Sequence, residues 1–351
     1  MALRLYYFTP STEEVLVPWL EHDENGAFPQ ALKGVPNPFR ACTRAESLAD
    51  CDAAFLPNNI RREVASVQAY VTECADAAEA AGKPLFLFSC GDLTDGITFD
   101  PRAYVFRYST YTDTLTSRDI VMPTLVDDLG AAGITIRAKA EVPTVSFCGQ
   151  AGYKTKKQWL KYYLKVAFHR ASGTIRPIKL AHAIGVYWRR VAIAACEASP
   201  LVRTHFIIRR SFSAAQRTIE LDPEQAKQEF ISSIRDTDFV LAPKGDGNYS
   251  NRFLEALSMG RIPVLIDTAY TSPFEGEIDY DDLIVRVPMR DVRNIPNYIR
   301  AWYDPLTEAQ WAEKQQKARA LYETRLRLDT FFAHFFEAVL SSLPADARTR
   351  A

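Results

Sequence analysis

This 351-residue chain is sparing in the residues that build metal sites and covalent staples, with five histidines and six cysteines. Cys42, Cys51, Cys74, Cys90, Cys148 and Cys196 are scattered, and no pair has C-x-x-C spacing. That spacing argues against a zinc module and makes free buried thiols in a reducing compartment the expected state. No run approaches the roughly 18 uncharged apolar residues of a membrane-spanning helix. The opening MALRLYYFTPST carries one arginine and a short apolar run, which reads as a first strand rather than a signal peptide. Charge of one sign is also lacking: the net charge is -1, so there is no global basic field and no nucleic-acid partner is expected. No internal repeat or low-complexity tract interrupts the chain.

What is present is a soluble globular composition, 47% apolar and 24% charged, in a chain longer than one hydrophobic core usually serves. Two domains are therefore expected. The densest information lies between Asp236 and Ile266, DTDFVLAPKGDGNYSNRFLEALSMGRIPVLI. Phe239 to Ala242 reads as a buried strand, and Pro243 stops it. Gly245 and Gly247 then allow close backbone approach to a ligand. Ser250 is placed as a helix N-cap, and Phe253, Leu254, Ala256 and Leu257 follow at helical spacing. Gly260 suits a left-handed C-terminal cap before the strand Ile262 to Ile266. The result is one βαβ unit whose loop precedes a helix N-terminus outside the carboxyl end of a strand, where open α/β sheets bind anions. Arg252 in the first turn opposes the helix dipole by roughly 0.3–1 kcal/mol unless a negative group compensates it. Glu255 is one candidate partner, a bound phosphate the other. A purely structural unit with a solvated Arg-Glu pair stays open at this point.

Elsewhere, strands are expected at 3–8, 53–57, 84–88, 104–108, 145–148 and 202–208. Helices are expected at 63–81, 154–170, 184–198 and 308–327, with an aromatic helix around Phe331, Phe332, Phe335 and Phe336. Strand and helix alternate, which favours parallel sheets. Residues 1–142 form a plausible first domain, Glu141 to Thr144 a linker, 143–306 a second domain, and 307–351 C-terminal helices that cross back to the first.

The series Leu241, Pro243, Gly245, Gly247, Asn248, Ser250, Arg252, Phe253, Glu255, Ala256, Leu257, Gly260, Arg261, Ile262, Pro263, Val264 resembles the C-terminal signature of the exostosin family of glycosyltransferases. Pro273-Phe274, Ile278 to Asp282, Ser117 to Pro123 and Val145 to Gly149 extend the resemblance over most of residues 85–335, most densely in the last third. The resemblance implies a GT-B fold, two Rossmann-like domains with parallel sheets facing across a cleft. It further implies inversion at the anomeric carbon and a nucleotide-diphosphate sugar held mainly by the C-terminal domain, with a UDP-sugar as the expected donor and a glycan or glycoconjugate as acceptor. Polysaccharide biosynthesis is the expected setting. Without the N-terminal anchor of animal exostosins, a cytoplasmic enzyme of bacterial type is expected, and peripheral membrane association is compatible with it.

The chemistry required is stabilisation of a leaving diphosphate and deprotonation of an acceptor hydroxyl. Lys244, Gly245, Gly247, Asn248, Ser250, Arg252 and Glu255 are the expected donor-binding residues. Arg209 and Arg210 add charge from the end of a neighbouring strand, where a solvated strand terminus is the plain alternative. Arg252 is also assigned the catalytic role of stabilising the leaving group. Asp92, in the Gly91 to Gly96 loop, is the expected base; Asp95 and Asp119 are the other candidates. His205 reads as a core or half-buried strand residue rather than a catalyst. Three D-x-D triplets, at 50–52, 236–238 and 279–281, raise the option of a donor-bound divalent ion, but the resemblance places the phosphate site at a helix terminus instead, which makes metal independence and no cofactor the expectation. Two alternatives stand beside this reading: a GT-B nucleotide-sugar epimerase, and a nucleotide- or glycan-binding module without turnover.

Overall fold

The computed structural model describes residues 3–17, 32–40, 42–61, 63–92, 94, 97–152, 157, 159–160, 164, 167–168, 177–209 and 222–342. The expected helix at 154–170 therefore lies largely outside the described residues, as do Arg210 and Asp95. The chain divides into two compact units. Unit 1 comprises residues 1–127, 271–273 and 324–351; unit 2 comprises 128–270 and 274–323. The stretch 128–142, which the sequence reading assigned to the first domain, thus belongs to unit 2. There Arg137 pairs with Asp238 at 2.7 Å and the backbone of Ala140 exchanges hydrogen bonds with the Tyr303 hydroxyl.

Unit 1 is built on seven strands: β1 (Arg4–Tyr7), β2 (Val15–Leu16), β3 (Thr43–Arg44), β4 (Ala53–Asn59), β5 (Leu85–Phe88), β6 (Tyr104–Arg107) and β7 (Asp119–Val121). Their order is β3-β1-β4-β5-β6-β7, all parallel, with β2 antiparallel on β4. The period-2 alternation of the strands sorts side chains by face. Ala54, Leu56, Leu85, Leu87 and Val105 share a cluster with Val67, Val71 and Ala75 of helix α1 (Ala65–Ala80). Phe55, Phe86, Phe88 and Phe106, the alternate positions, form an aromatic layer with ring centroids 5.0–6.3 Å apart. Phe332 packs its ring 5.2 Å from Phe106, and Phe335 packs 5.3 Å from Phe86. Both come from the C-terminal helix, which is thus part of unit 1.

Unit 2 carries an all-parallel sheet of β8 (Thr144–Gln150), β9 (Arg203–Arg209), β10 (Phe239–Leu241), β11 (Ile262–Asp267) and β12 (Val285–Pro288). Its order is β12-β11-β10-β8-β9. Numbered along the chain this is 2-1-3-4-5, so the winding reverses between β8 and β10, the switch point at whose carboxyl ends open α/β sheets place their ligand crevice. Around the sheet run α2 (Pro177–Glu197), α3 (Pro223–Arg235), α4 (Asn251–Ser258), α5 (Ile295–Tyr303) and α6 (Glu308–Leu321). The expected helix 308–327 stops at Leu321, and a π-helical turn, Tyr322–Leu326, leads to α7 (Leu328–Ser342). The stop falls where the chain leaves unit 2. Arg319 ties down both strands of chain at that exit, bonding Asp128 at 2.5 and 3.1 Å and Glu323 at 2.6 Å. Both units are α/β with parallel sheets, the fold class expected from the sequence. Among the described residues no helix is long and apolar enough to cross a membrane.

Candidate functional site

The site in unit 2 is assembled from the ends of β8 and β10. Strand β10 stops at Leu241, residues 242–250 form the loop, and α4 begins at Asn251 with Ser250 in the N-cap position. The boundaries are those expected, but the cap is not made: the Ser250 hydroxyl forms no capping bond, and its oxygen is buried without a partner. Gly260, at φ +65°, takes the left-handed conformation that ends α4. Gly245 has ordinary backbone angles, and the nearest protein atom to the position of an added Cβ is 3.8 Å away. Its lack of a side chain therefore leaves space rather than relieving strain.

Among the described residues Arg252 pairs with no carboxylate. Its Nη2 donates to the Cys148 carbonyl near the end of β8, and its guanidinium lies 4.8 Å from the Phe147 ring centroid, a cation–π contact. This approach explains Gly149. At φ +151°, it carries no Cβ where one would stand 2.4 Å from Arg252 Nη2. Asn248 braces the loop to the chain after β11: its amide nitrogen donates to the Thr268 carbonyl at 3.3 Å, and its amide oxygen accepts from the Thr268 hydroxyl at 2.6 Å. Lys244 and Gly247 are buried in the loop, and Glu255 is half-buried on α4.

Arg209 ends β9 opposite Gln150 of β8 and is held by Glu229 at 2.9 Å, so much of its charge is already matched within the protein. Asp92 belongs to unit 1, where it is exposed in the turn after β5.

Sequence reasoning missed Arg189. This α2 residue donates from Nη1 to the Gln150 carbonyl at 3.0 Å and from Nη2 to the Lys244 carbonyl at 3.2 Å, reaching both sides of the crevice. Gly185, one turn earlier, permits this: a Cβ there would stand 2.5 Å from the Gly245 carbonyl oxygen. Burial and the nearby Arg252 push the Arg189 guanidinium down to about 10, against a small opposing pull from Asp246. Among the described residues neither arginine forms an ion pair, and the Nε atoms of both are buried without partners. Two cations without ion pairs among the described residues, beside a helix N-terminus without a side-chain cap, are groups suited to holding an anion. The only available signal was the helical stretch containing Arg189, which carries no local motif.

Other candidates are occupied structurally. Asp238, in one D-x-D triplet, accepts from Arg137, the Thr144 amide and the Thr144 hydroxyl at 2.7–2.8 Å. Asp236 pairs with Arg235. In the 279–281 triplet Asp281 pairs with Arg286 at 3.1 Å, and in the 50–52 triplet Asp52 accepts from the Arg4 amide at 2.7 Å. Asp119 is buried against Arg107 at 2.5 Å and also accepts from Thr116, a structural arrangement. His205 is exposed rather than packed, because β9 is an edge strand.

Residues 189–301 match the family model described as the Exostosin GT47 domain. Over that range the chain is similar to an exostosin GT47 domain. The matched range opens at Arg189 and includes the loop, Arg252 and Arg261, whose buried guanidinium bonds the Arg235 and Thr135 carbonyls at 2.8 Å. Exostosin-1 of Drosophila melanogaster is 33% identical over 85 residues, 24% of this chain and 11% of that protein. The Exostosin-1 homolog of Caenorhabditis elegans is 30% identical over 104 residues, 30% of this chain and 26% of that protein. The match thus spans about a quarter or less of these relatives. Among solved structures, a glycosyltransferase from Rickettsia africae ESF-5 aligns at 9% identity with a TM-score of 0.40, covering 88% of this chain and 86% of the other.

Proposed function

We propose that this exostosin-type chain is an inverting, metal-independent glycosyltransferase that moves a sugar from a nucleotide-diphosphate donor, a UDP-sugar, to a glycan acceptor. The observation that carries the reading is Arg252, a cation with no ion pair among the described residues, next to the uncapped N-terminus of α4 at the β8/β10 crevice. The exostosin match over residues 189–301 supports the reaction class.

In this reaction the acceptor oxygen attacks the anomeric carbon while the bond from that carbon to the diphosphate oxygen breaks, so a single displacement inverts the centre. Negative charge grows on the departing diphosphate. Arg252 and the amides that open α4 are fixed donors where that charge develops, and preorganised donors of this kind lower the barrier without reorganisation. The proton of the acceptor hydroxyl passes to a carboxylate, the role assigned to Asp92, whose exposure leaves it accessible. The cytoplasm is the compartment this reading assigns.

Thermal unfolding of the purified chain with UDP, GDP, ADP, CMP and TDP, each with and without EDTA, tests the reading. A ligand at about 100 times its dissociation constant stabilises by roughly 2.7 kcal/mol, enough to raise the melting temperature by several degrees. The expected outcome is a shift by UDP that survives EDTA and is absent in Arg252→Ala. A shift that needs a divalent ion, or one indifferent to Arg252, contradicts the proposal.

A further inference from the structure

We infer that Arg189 is a second diphosphate-binding residue, sharing a two-phosphoryl anion with Arg252 across the β8/β10 crevice. The inference rests on the donor class proposed above. The two guanidiniums are fixed on successive parts of one rim, Arg252 on the Cys148 carbonyl and Arg189 on the Gln150 and Lys244 carbonyls. Each leaves its Nε buried and unpartnered, and the adjacent Ser250 oxygen, on a residue 8% exposed, is likewise unpartnered.

A structural arginine in a protein interior is normally met by a carboxylate, because an unpaired buried charge is costly. Arg107, Arg137 and Arg319 in this chain all follow that rule, pairing with Asp119, Asp238 and Asp128. Arg261 lacks a carboxylate pair, but its three guanidinium nitrogens all donate to the Arg235, Gly260 and Thr135 carbonyls or the Gln315 side chain, and Asp236 and Asp238 lie near enough to offset its charge. Arg189 has neither a carboxylate pair among the described residues nor a partner on Nε, and it lies beside a second cation that repels it. Carbonyl partners hold the guanidinium in place without neutralising it. One cation with a helix N-terminus suffices for a single phosphoryl group; two cations along one rim match two linked phosphoryl groups. Arg189 thereby favours a diphosphate over a monophosphate, and a planar fork serves better there than a point charge.

Isothermal titration of the full chain with UDP, UMP, inorganic pyrophosphate and inorganic phosphate tests this, for the wild type, Arg189→Gln and Arg189→Lys. Loss of a charged hydrogen-bonding partner is expected to weaken UDP and pyrophosphate about 10- to 100-fold in Arg189→Gln. UMP and phosphate should change less than about threefold, and Arg189→Lys should recover part of the diphosphate affinity. The lysine variant keeps the charge and serves as the test if the glutamine variant does not fold. Equal weakening of UDP and UMP would mark Arg189 as a loop clamp only and overturn the inference, as would unchanged UDP binding in Arg189→Gln. If the wild type binds none of the four probes, the donor reading itself fails along with this inference. If the wild type binds UDP and the Arg189 variants bind it equally well, the donor reading stands alone.

Discussion

Replacing Gly149 by alanine should separate stability from ligand binding at the crevice. The added methyl would stand 2.4 Å from Arg252 Nη2, far inside van der Waals contact, and the backbone at φ +151° is one that residues with a Cβ rarely adopt. Strained backbone of this sort costs about 1–3 kcal/mol. For a domain of 150–250 residues each 1 kcal/mol lowers the melting temperature by roughly 2–4 °C. The clash itself adds little to that, because the atom it meets is the far end of a long side chain that can swing away. Its consequence falls on the ligand: Arg252 loses its seat on the Cys148 carbonyl, and a displaced charged hydrogen bond of about 1.5–3 kcal/mol weakens nucleoside diphosphate binding roughly 10- to 100-fold. Differential scanning calorimetry and titration calorimetry on the same preparation read both quantities. The expected result is a folded protein with a moderately lowered melting temperature and UDP affinity close to that of Arg252→Ala. In the double variant Gly149→Ala/Arg252→Ala the losses in affinity should not add, since both act through one side chain. A Gly149→Ala protein that binds UDP as the wild type does would refute the reasoning.

Three further outcomes follow from the same geometry. Asp238→Ala removes the acceptor of Arg137 and of two Thr144 donors, and breaking such a buried pair should destabilise by about 3–5 kcal/mol in urea titrations; restored stability on adding a divalent ion would contradict its structural assignment. Asp92→Asn should lower kcat by roughly 10²- to 10⁴-fold while leaving the melting temperature and UDP affinity unchanged, because the side chain is exposed and its proposed task is proton transfer; full activity in that variant would remove Asp92 as the base. Burial pushes the thiols of Cys42, Cys74 and Cys196 up to about 12, so at pH 8 their thiolate fraction is on the order of 10⁻⁴. Modification of the native protein by a disulfide reagent should therefore be slow, and fast only after denaturation. A rapid stoichiometric reaction at any of the three in the native state would show that burial does not govern their reactivity.

The strands were legible because their composition is unambiguous: Leu85 to Phe88 and Phe239 to Leu241 are short apolar runs bounded by turn residues, and both form strands. The α4 segment was legible because Ser250, its apolar spacing and Gly260 mark both ends. Arg189 was not, since what brings it to the candidate site is its reach to two carbonyls distant in sequence, Gln150 and Lys244, together with the contact that Gly185 allows. Asn248 reads in sequence as a ligand contact and serves in the fold as a brace to Thr268, a distinction that depends on where β11 ends. His205 reads as packed by alternation alone, but sheet order makes β9 an edge strand, and order is set by tertiary pairing that local pattern does not encode. The placement of 128–142 in unit 2 has the same origin, the distant partners of Arg137 and Ala140.

The most direct test of the donor site is a crystal structure of the chain grown with UDP in the presence of EDTA. The account predicts the diphosphate at the carboxyl ends of β8 and β10, within hydrogen-bond distance of Arg252 and the first amides of α4, with no metal ion between them. UDP bound elsewhere in unit 2, or density for the diphosphate that appears only when a divalent cation is supplied, would contradict it.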